Sequence, residues 1–411
     1  MLTYRKSETD EYIWKSLFFA CFVMPLAGNI PKMVVKVFLF IVWILFYNKR
    51  FTIKLVKSEY LKWFSVFLLY SFISIFWALD RKLALDVCIY MTSNLLMIIV
   101  VLDYARTKKR LLTVIDAFLI TEIVTLILCL ATAPISYWGT GRFTDGIILQ
   151  RNEVAMNAAM ASAMALYAYY ITGKWKYKLY YVFTLILAVL PASRKSFLAA
   201  ILVLLFYKIL TSKDIYKFLI RLGQIAFVFI VGGVVFYSIP VLRENYWDRI
   251  MALTGFLGES TVIEDGSVLE RKYFWSQALY MFTQKPIWGW GINNFRAYLT
   301  YIGYGNAVFA HSDYAELLAD VGVIGVFIYF FQMAKALLSA VINIVRQKEI
   351  ELLSTIILAI FAFAGVGAIT YYRPTYAAIL SIVFAAYENS KKQESDIPTL
   401  KVKIMKKGRN V

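Results

Sequence analysis

The chain has 411 residues, of which 61% are hydrophobic and 17% are charged, with a formal net charge of +18. Soluble globular proteins average about 45–50% apolar and about 25% charged residues, so the composition excludes a soluble enzyme, a disordered protein and a secreted disulfide scaffold. It predicts an all-α polytopic membrane protein, in which the positive charge belongs to basic loops beside anionic lipid and no nucleic acid is a partner.

Apolar runs long enough to form membrane helices recur along the chain. A helix needs about 20 largely apolar residues to cross the hydrocarbon core. We predict twelve spans, at residues 12–30, 33–48, 60–79, 83–104, 112–133, 153–172, 178–192, 197–212, 219–241, 316–343, 351–371 and 374–388. Together they make residues 1–411 a single integral membrane domain.

The positive charges set the predicted orientation. With the N-terminus in the cytoplasm, most lysine and arginine clusters in short loops fall on the inner side, as the positive-inside rule requires. Twelve spans bring the chain back to that side, so we expect both termini in the cytoplasm. The last residues, 389–411, form a basic tail that is expected to be disordered or to lie on anionic lipid.

One long stretch, residues 242–312, is predicted to lie outside the membrane on the outer face. Apolar residues recur at helical spacing over 268–282. Residues 267–270 match a capping box and Pro286 matches a helix stop. The loop is therefore expected to contain an amphipathic helix, lying along the membrane surface or on the bundle.

Two carboxylates, Asp116 and Glu122, fall in the fifth predicted span. An intramembrane carboxylate is a functional hypothesis by default, and it leaves an ion channel or a proton pump open. Asp116 lies near the predicted cytoplasmic end, however, and for Glu122 we favour pairing with a basic side chain.

Cations at the predicted outer face are the first candidates for binding an anion. Arg194 and Lys195 stand between two apolar runs. An arginine offers phosphate oxygens a planar, bidentate match, whereas Lys195 fits a side chain that snorkels to the interface. Arg271 and Lys272 lie in the first turn of the loop helix, where a cation opposes the helix dipole. A partner is therefore expected there, either Glu270 or an anionic ligand.

His311 is the only histidine of the chain and stands at the mouth of the tenth span, with Ser312 as the predicted N-cap and Glu316 in the first turns. A lone histidine is usually structural. Its convergence with Arg194 and Arg271 at one membrane face favours a role in chemistry. Two fixed cations and one titratable imidazole suit a reaction on a diphosphate-linked substrate.

Three patches of the sequence resemble the O-antigen ligase and polymerase superfamily of bacterial surface polysaccharide assembly. They are Ser193-Arg194-Lys195-Ser196 at the eighth span, the series Arg271, Trp275, Pro286, Gly289, Gly291 and Phe295, and the block from Ala310-His311-Ser312-Asp313 through Glu316 to Gly322-Val-Ile-Gly325. The layout of twelve spans with one large outer loop agrees with that family. Ser312 departs from it, since the family usually has Asn there.

The resemblance implies a metal-independent, inverting glycosyltransferase without a cofactor, acting on an undecaprenyl-diphosphate-linked glycan at the outer face of the bacterial inner membrane. Its partners would be the lipid-linked donor, a glycan or lipid acceptor, membrane lipids and a chain-length regulator. Arg194 and Arg271 would stabilise the leaving diphosphate. His311 would act as general base, or would orient the acceptor while Glu316 takes the proton.

Further substrate contacts are expected from five residues: Arg142, Arg151, Lys195, Lys272 and Trp290. Interfacial anchoring is the competing explanation for the two arginines of the shorter outer loop. For Trp290 the alternative to stacking on a sugar ring is packing in the core or at the interface.

Four functions remain open on this sequence. A polymerase that joins lipid-linked repeat units comes first, ahead of a ligase that moves the finished glycan to lipid A core. A related option is transfer of the glycan to a protein hydroxyl. A flippase or transporter of lipid-linked sugars is the alternative from another class. Transporters commonly show inverted repeats and paired broken spans, and neither is visible in this sequence.

Overall fold

The computed structural model describes residues 2–23, 32–47, 58–147, 149–212, 266–304, 308–345 and 351–407, with isolated positions between 216 and 243. Side chains are described from Thr9 to Ser390 within these segments, apart from a few at segment ends. The ninth predicted span, the outer loop up to residue 265, the side chains of the predicted capping box before Leu269 and those of the basic tail lie outside the described part.

The described secondary structure is helical. The α-helices are α1 (Leu2–Val23), α2 (Lys32–Val42), α3 (Glu59–Ser74), α4 (Arg81–Tyr104), α5 (Lys108–Thr132), α6 (Arg151–Thr172), α7 (Lys176–Val189), α8 (Arg194–Leu210), α9 (Gly266–Gln284), α10 (Phe295–Tyr301), α11 (Asp313–Val345), α12 (Leu352–Gly365) and α13 (Pro374–Lys407). A π-helical turn (Trp43–Tyr47) continues α2, and short 3₁₀ turns (Ile75–Trp77 and Ile135–Tyr137) follow α3 and α5. The all-α expectation is confirmed for this part of the chain.

Five described helices are long and apolar enough to cross a membrane: Glu59–Trp77, Arg81–Tyr104, Lys108–Thr132, Arg151–Thr172 and Asp313–Asn343. They coincide with the third to sixth and the tenth predicted spans, while α12 is a shorter apolar helix. Helices α7 and α8 have 14 and 17 residues, too few to meet the length expected of a span. The total of twelve spans stays a prediction.

Polar contacts between distant parts of the chain mark the two ends of the bundle. At one end Lys15 and Lys176 donate to the Asp116 carboxylate at 3.2 and 2.7 Å, so this carboxylate is paired. At the other end the Arg373 guanidinium lies 3.7 Å from Glu153. Each contact joins helix ends that the predicted topology places on the same side. We call the end that holds Glu153 and Arg373 the site end.

The predicted loop helix is present as α9, and it packs on the bundle. It buries Phe274, Ala278 and Met281, which are four and then three residues apart and so share one helix face. They form a small core with Phe295 of α10 and with alanines of α11, including Ala319. The helix ends at Gln284, before Pro286, as the sequence predicts.

Helix α11 is interrupted at Gly322, whose backbone angles (φ 62°, ψ −169°) lie outside the helical region. The break removes helical acceptors from the next two amides. The Val323 N–H donates to the Pro286 carbonyl at 2.9 Å, and the Ile324 N–H donates to the Ile287 carbonyl at 3.2 Å. The loop after α9 therefore supplies the missing hydrogen bonds.

The same loop also binds the helix before the break. The Trp290 N–H donates to the Ala319 carbonyl at 3.0 Å and the Gly291 N–H to the Asp320 carbonyl at 2.7 Å. A Cβ at Gly289 would overlap the Asp320 carbonyl. We call residues 286–291 together with 319–324 the interlock, and it explains why glycine stands at positions 289 and 322.

We expect Gly322→Ala to destabilise the protein by roughly 2–5 kcal/mol, for two reasons. Alanine is strained in the left-handed backbone conformation of this position, and its Cβ would overlap the Ile287 carbonyl. Gly173→Ala is the matched control, since Gly173 also has a positive φ (68°) but has open space around it. The control should lose only about 1–2 kcal/mol. Thermal unfolding of the purified protein in detergent measures both, and equal losses would contradict the interlock.

Candidate functional site

His311 lies between α10 and α11 with its backbone in the left-handed region (φ 55°). A residue with a Cβ adopts this conformation at a cost of about 1–2 kcal/mol, so its neighbours must hold it there. The half-buried imidazole stacks on the ring of Phe274 from α9, with 6.1 Å between centroids and 29° between planes. The loop helix and the start of α11 together fix this ring.

Two cations from other helices lie near His311. Burial lowers the pKa of the imidazole, the charges of Arg271 and Lys195 lower it further, and Glu270 opposes them. The Lys195 ammonium donates to the carbonyl of Gly367 in the α12–α13 linker. The snorkelling interpretation of this lysine is therefore wrong, because its side chain turns into the protein and helps to keep the imidazole neutral at pH 7.

Glu316 is fully buried one turn into α11, with a relative exposure of 0%. Its Oε2 accepts a hydrogen bond from the Ala310 N–H at 2.8 Å, and its Oε1 accepts one from the Tyr371 hydroxyl at 3.4 Å. The carboxylate thereby holds the residue before His311 and ties it to the α12–α13 linker. These bonds favour His311 over Glu316 as the group that takes a proton.

The first residues of α11 attach that helix to the α12–α13 linker. Asp313 Oδ1 accepts from the Thr370 N–H at 2.8 Å, and the Thr370 hydroxyl donates to Asp313 Oδ2. The Ser312 hydroxyl accepts from the Ala315 N–H at 3.4 Å and donates to the Gly365 carbonyl at 3.3 Å. Ser312 is thus the predicted N-cap, and the linker is fixed beside the site.

Arg194 is the first residue of α8 and is half-buried. It follows the buried Ser193, whose hydroxyl lies 2.9 Å from that of Ser196. Lys195, the next residue, reaches the α12–α13 linker. The start of α8 therefore lies at the same end of the bundle as His311.

The two arginines of the shorter outer loop make contacts within that loop. The exposed Arg142 side chain lies 3.3 Å from Asp145, and its guanidinium is 4.4 Å from the centre of the Tyr137 ring. The Arg151 guanidinium packs against Gly141. These contacts favour a structural role for both arginines.

Trp290 also has a structural environment. Its indole N–H donates to the Met281 carbonyl at 2.8 Å, and the Lys285 ammonium lies 4.0 Å from its ring. The ring therefore packs the end of α9 against the interlock, as the packing alternative expects. Lys272, next to Arg271 on α9, is exposed.

Two further arginines lie near the site and were not predicted from the sequence. The guanidiniums of Arg296 in α10 and Arg373 in the α12–α13 linker lie 4.5 and 5.7 Å from the centre of the Phe309 ring, just before the histidine. Arg373 could have been found from the sequence. It stands between the last two predicted spans on the predicted outer face, which is the criterion that selected Arg194.

Most of these residues fall within one stretch of sequence that matches a known family. Residues 179–330 match the family model described as O-antigen ligase. The match covers less than half of the chain and supports the O-antigen ligase and polymerase superfamily. The resemblance seen in the three sequence patches is confirmed. No curated protein matches the chain.

The matched region contains each of the three patches, and the structure places them in different elements. Arg194 and Lys195 lie at the start of α8, while His311 and Glu316 lie at the start of α11. Gly289, Gly291 and Gly322 lie in the interlock. The α12–α13 linker lies beyond the matched residues, yet it holds the start of α11 in place.

The single histidine makes the electrostatics of the site measurable by NMR. Arg271→Gln should raise the pKa of His311 toward its ordinary value of 6.5, because it removes a positive neighbour that disfavours the imidazolium. Glu270→Gln should lower the pKa further, because it removes the opposing negative charge. Protein labelled at histidine and purified with a tag that lacks histidine gives one signal to titrate. No change in either variant would contradict the placement of Arg271.

Proposed function

We propose that the protein is a metal-independent, inverting glycosyltransferase that polymerises repeat units of a surface polysaccharide such as O-antigen, capsule or exopolysaccharide. The donor is an undecaprenyl-diphosphate-linked oligosaccharide at the outer face of the bacterial inner membrane. The observation that best supports this proposal is the grouping of His311 with Arg271 and Lys195 inside an O-antigen ligase domain.

Bond breaking at the donor needs positive charge. As the acceptor oxygen attacks the anomeric carbon, the bond from that carbon to the diphosphate breaks, and its electron pair leaves with the diphosphate. Arg271 and Arg194 bind the leaving phosphates. Burial and the charge of Arg271 lower the pKa of Lys195 to about 7, so this lysine adds a smaller positive potential at neutral pH. Fixed cations in a half-buried site need little reorganisation when this charge develops, so they take the place of a metal ion.

Bond making at the acceptor needs a base. The neutral imidazole of His311 takes the proton of the attacking hydroxyl and becomes imidazolium. Its lowered pKa leaves it unprotonated at pH 7. Glu316 positions the imidazole by holding the backbone of Ala310.

A ligase that transfers the finished glycan to lipid A core is the second candidate, because the matching family model carries the ligase description. The two functions share the donor and the leaving group and differ only in the acceptor. The reaction product therefore distinguishes the two functions, and both would use the same residues of this chain.

Turnover of a defined undecaprenyl-diphosphate repeat unit, with divalent metals chelated, tests the function and the site together. A ladder of longer lipid-linked products is expected from the wild type. His311→Ala should slow it about 10²–10⁴-fold, and Arg271→Ala and Arg194→Ala about 10²–10³-fold each. Arg142→Ala is the control and should retain the rate, since Arg142 contacts its own loop.

The acceptor decides between the candidate functions in the same assay. Product that appears only after lipid A core is added would establish the ligase. Movement of the donor across a vesicle membrane without any transfer would establish the flippase. Full activity of His311→Ala would contradict the proposed base whichever reaction occurs.

The rate of transfer should fall as the pH decreases through the pKa of His311, because imidazolium cannot take the acceptor proton. Since this pKa is lowered, the loss is expected below pH 6.5. Glu270→Gln should shift the acid limb to still lower pH. A pH profile of kcat/KM measures both effects, and an acid limb that stays in place would argue against His311 as the base.

A further inference from the structure

A polar cavity lies inside the bundle, among residues of α1, α2, α5, α6 and α13. Its polar lining comes mainly from Lys32 and Lys36 of α2, Glu122 of α5 and Asn157 of α6. The enclosed part has room for about two water-sized groups, and the cavity is partly open. His311 and the other residues of the proposed reaction do not line it.

The α2 side of the cavity is cationic. Lys36 is 3% exposed, and its ammonium donates to Asn94 Oδ1 at 2.6 Å and to the Ser93 hydroxyl at 3.0 Å. Both acceptors are neutral, so they leave its charge unbalanced. Lys32 lies one turn earlier, and its ammonium makes no hydrogen bond or ion pair with a described residue. Two positive charges therefore line this side without a carboxylate partner among the described side chains.

The facing side, formed by α5 and α6, carries hydrogen-bond acceptors that have no donor among the described residues. Asn157 is 3% exposed, and its Oδ1 accepts no hydrogen bond within the described part of the chain. Glu122 is 5% exposed, and no described residue forms a hydrogen bond or an ion pair with it. The pairing expected for this carboxylate is thus not found among the described residues. Buried acceptors and charges without partners are costly, so their persistence points to a missing group.

The two sides of the cavity would bind different groups of one ligand. The lysines would bind an anion, while Glu122 and Asn157 Oδ1 would accept hydrogen bonds from donors. A phosphate ester whose other substituent carries hydroxyl or ammonium groups supplies both. The enclosed part is too small for a whole headgroup, so the rest of the head would lie in the open mouth, which brings the empty space to about 540 Å³.

We propose that this cavity binds the phosphate-bearing head of a membrane lipid. The phosphate lies between Lys32 and Lys36, and a hydroxyl or ammonium group donates to Glu122 and Asn157. The same chemistry is offered by a phospholipid headgroup and by the phosphate of a lipid-linked sugar. The proposal does not rest on the proposed glycosyltransferase activity.

One contact connects the cavity with the candidate site. Asn94, which accepts from Lys36, donates through its Nδ2 to the Tyr372 carbonyl at 2.7 Å. Tyr372 belongs to the α12–α13 linker, the segment that also receives Lys195. A lipid bound to Lys36 thus lies two hydrogen-bonding residues away from the linker.

The test is native mass spectrometry of the full-length protein released from detergent. Wild type is expected to retain one phosphorus-containing lipid per chain. After delipidation it is titrated separately with dioleoyl phosphatidylethanolamine, dioleoyl phosphatidylglycerol and an undecaprenyl-diphosphate-linked sugar. Tight binding of either phospholipid identifies a phospholipid site, whereas binding of the undecaprenyl-diphosphate-linked sugar alone identifies the lipid carrier. Either result supports a phosphate-binding cavity.

Two variants and a control make the result specific. Lys32→Gln and Asn157→Leu should each weaken binding about tenfold or more. Asn157→Leu should fold normally, because the carbonyl that it removes has no partner in the described structure. Lys335→Gln is the control, since that lysine lies 4.0 Å from Glu59 at the opposite end of the bundle.

Thermal unfolding of each variant establishes that it is folded before binding is compared. The proposal is overturned if delipidated wild type binds none of the three lipids. It is equally overturned if folded Lys32→Gln and Asn157→Leu bind them as tightly as the wild type and the control do.

Discussion

The geometry of the site depends on the hydrogen bonds that cross the break in α11. An apolar helix cannot leave backbone amides without acceptors in a membrane, because no water replaces them. The carbonyls of Pro286 and Ile287 are the acceptors that make the break at Gly322 possible. They also fix the end of α9, so Arg271 and Phe274, which lie on that helix, reach the histidine. The loop after α9 is thus held by α11, and it fixes in turn the helix that carries Arg271 and Phe274.

Positive potential around the imidazole has two effects at once. The charges of Arg271 and Lys195 lower the pKa of His311. The imidazole is therefore a weaker base, and it is also unprotonated at neutral pH. The same charges stabilise negative charge that develops nearby. Diphosphate entering the site would in turn raise the basicity of the imidazole, since it would offset those charges. In the proposed reaction, binding of the donor and activation of the acceptor would therefore be electrostatically coupled.

Much of this arrangement follows from local sequence. Apolar runs predict the helices, Pro286 predicts the end of α9, and the positions of Arg271 and His311 beside predicted spans select them. The interlock could not be predicted, because its hydrogen bonds join backbone groups about 35 residues apart and leave only glycines as a sign. The inward direction of Lys195 and the anchoring role of Glu316 could not be predicted for the same reason. Both depend on contacts with the α12–α13 linker, which is distant in sequence.

The shortness of α7 and α8 has a consequence for the bilayer. At about 1.5 Å per residue they extend only about 21 and 26 Å, against roughly 30 Å of hydrocarbon. If both helices cross the membrane, the lipid beside them must thin to match them. Arg194 is the first residue of α8, so in that case the headgroup layer beside it would be drawn inward. A polyprenyl carrier, the donor lipid of the proposed reaction, would then meet the arginine without lifting its chain out of the hydrocarbon.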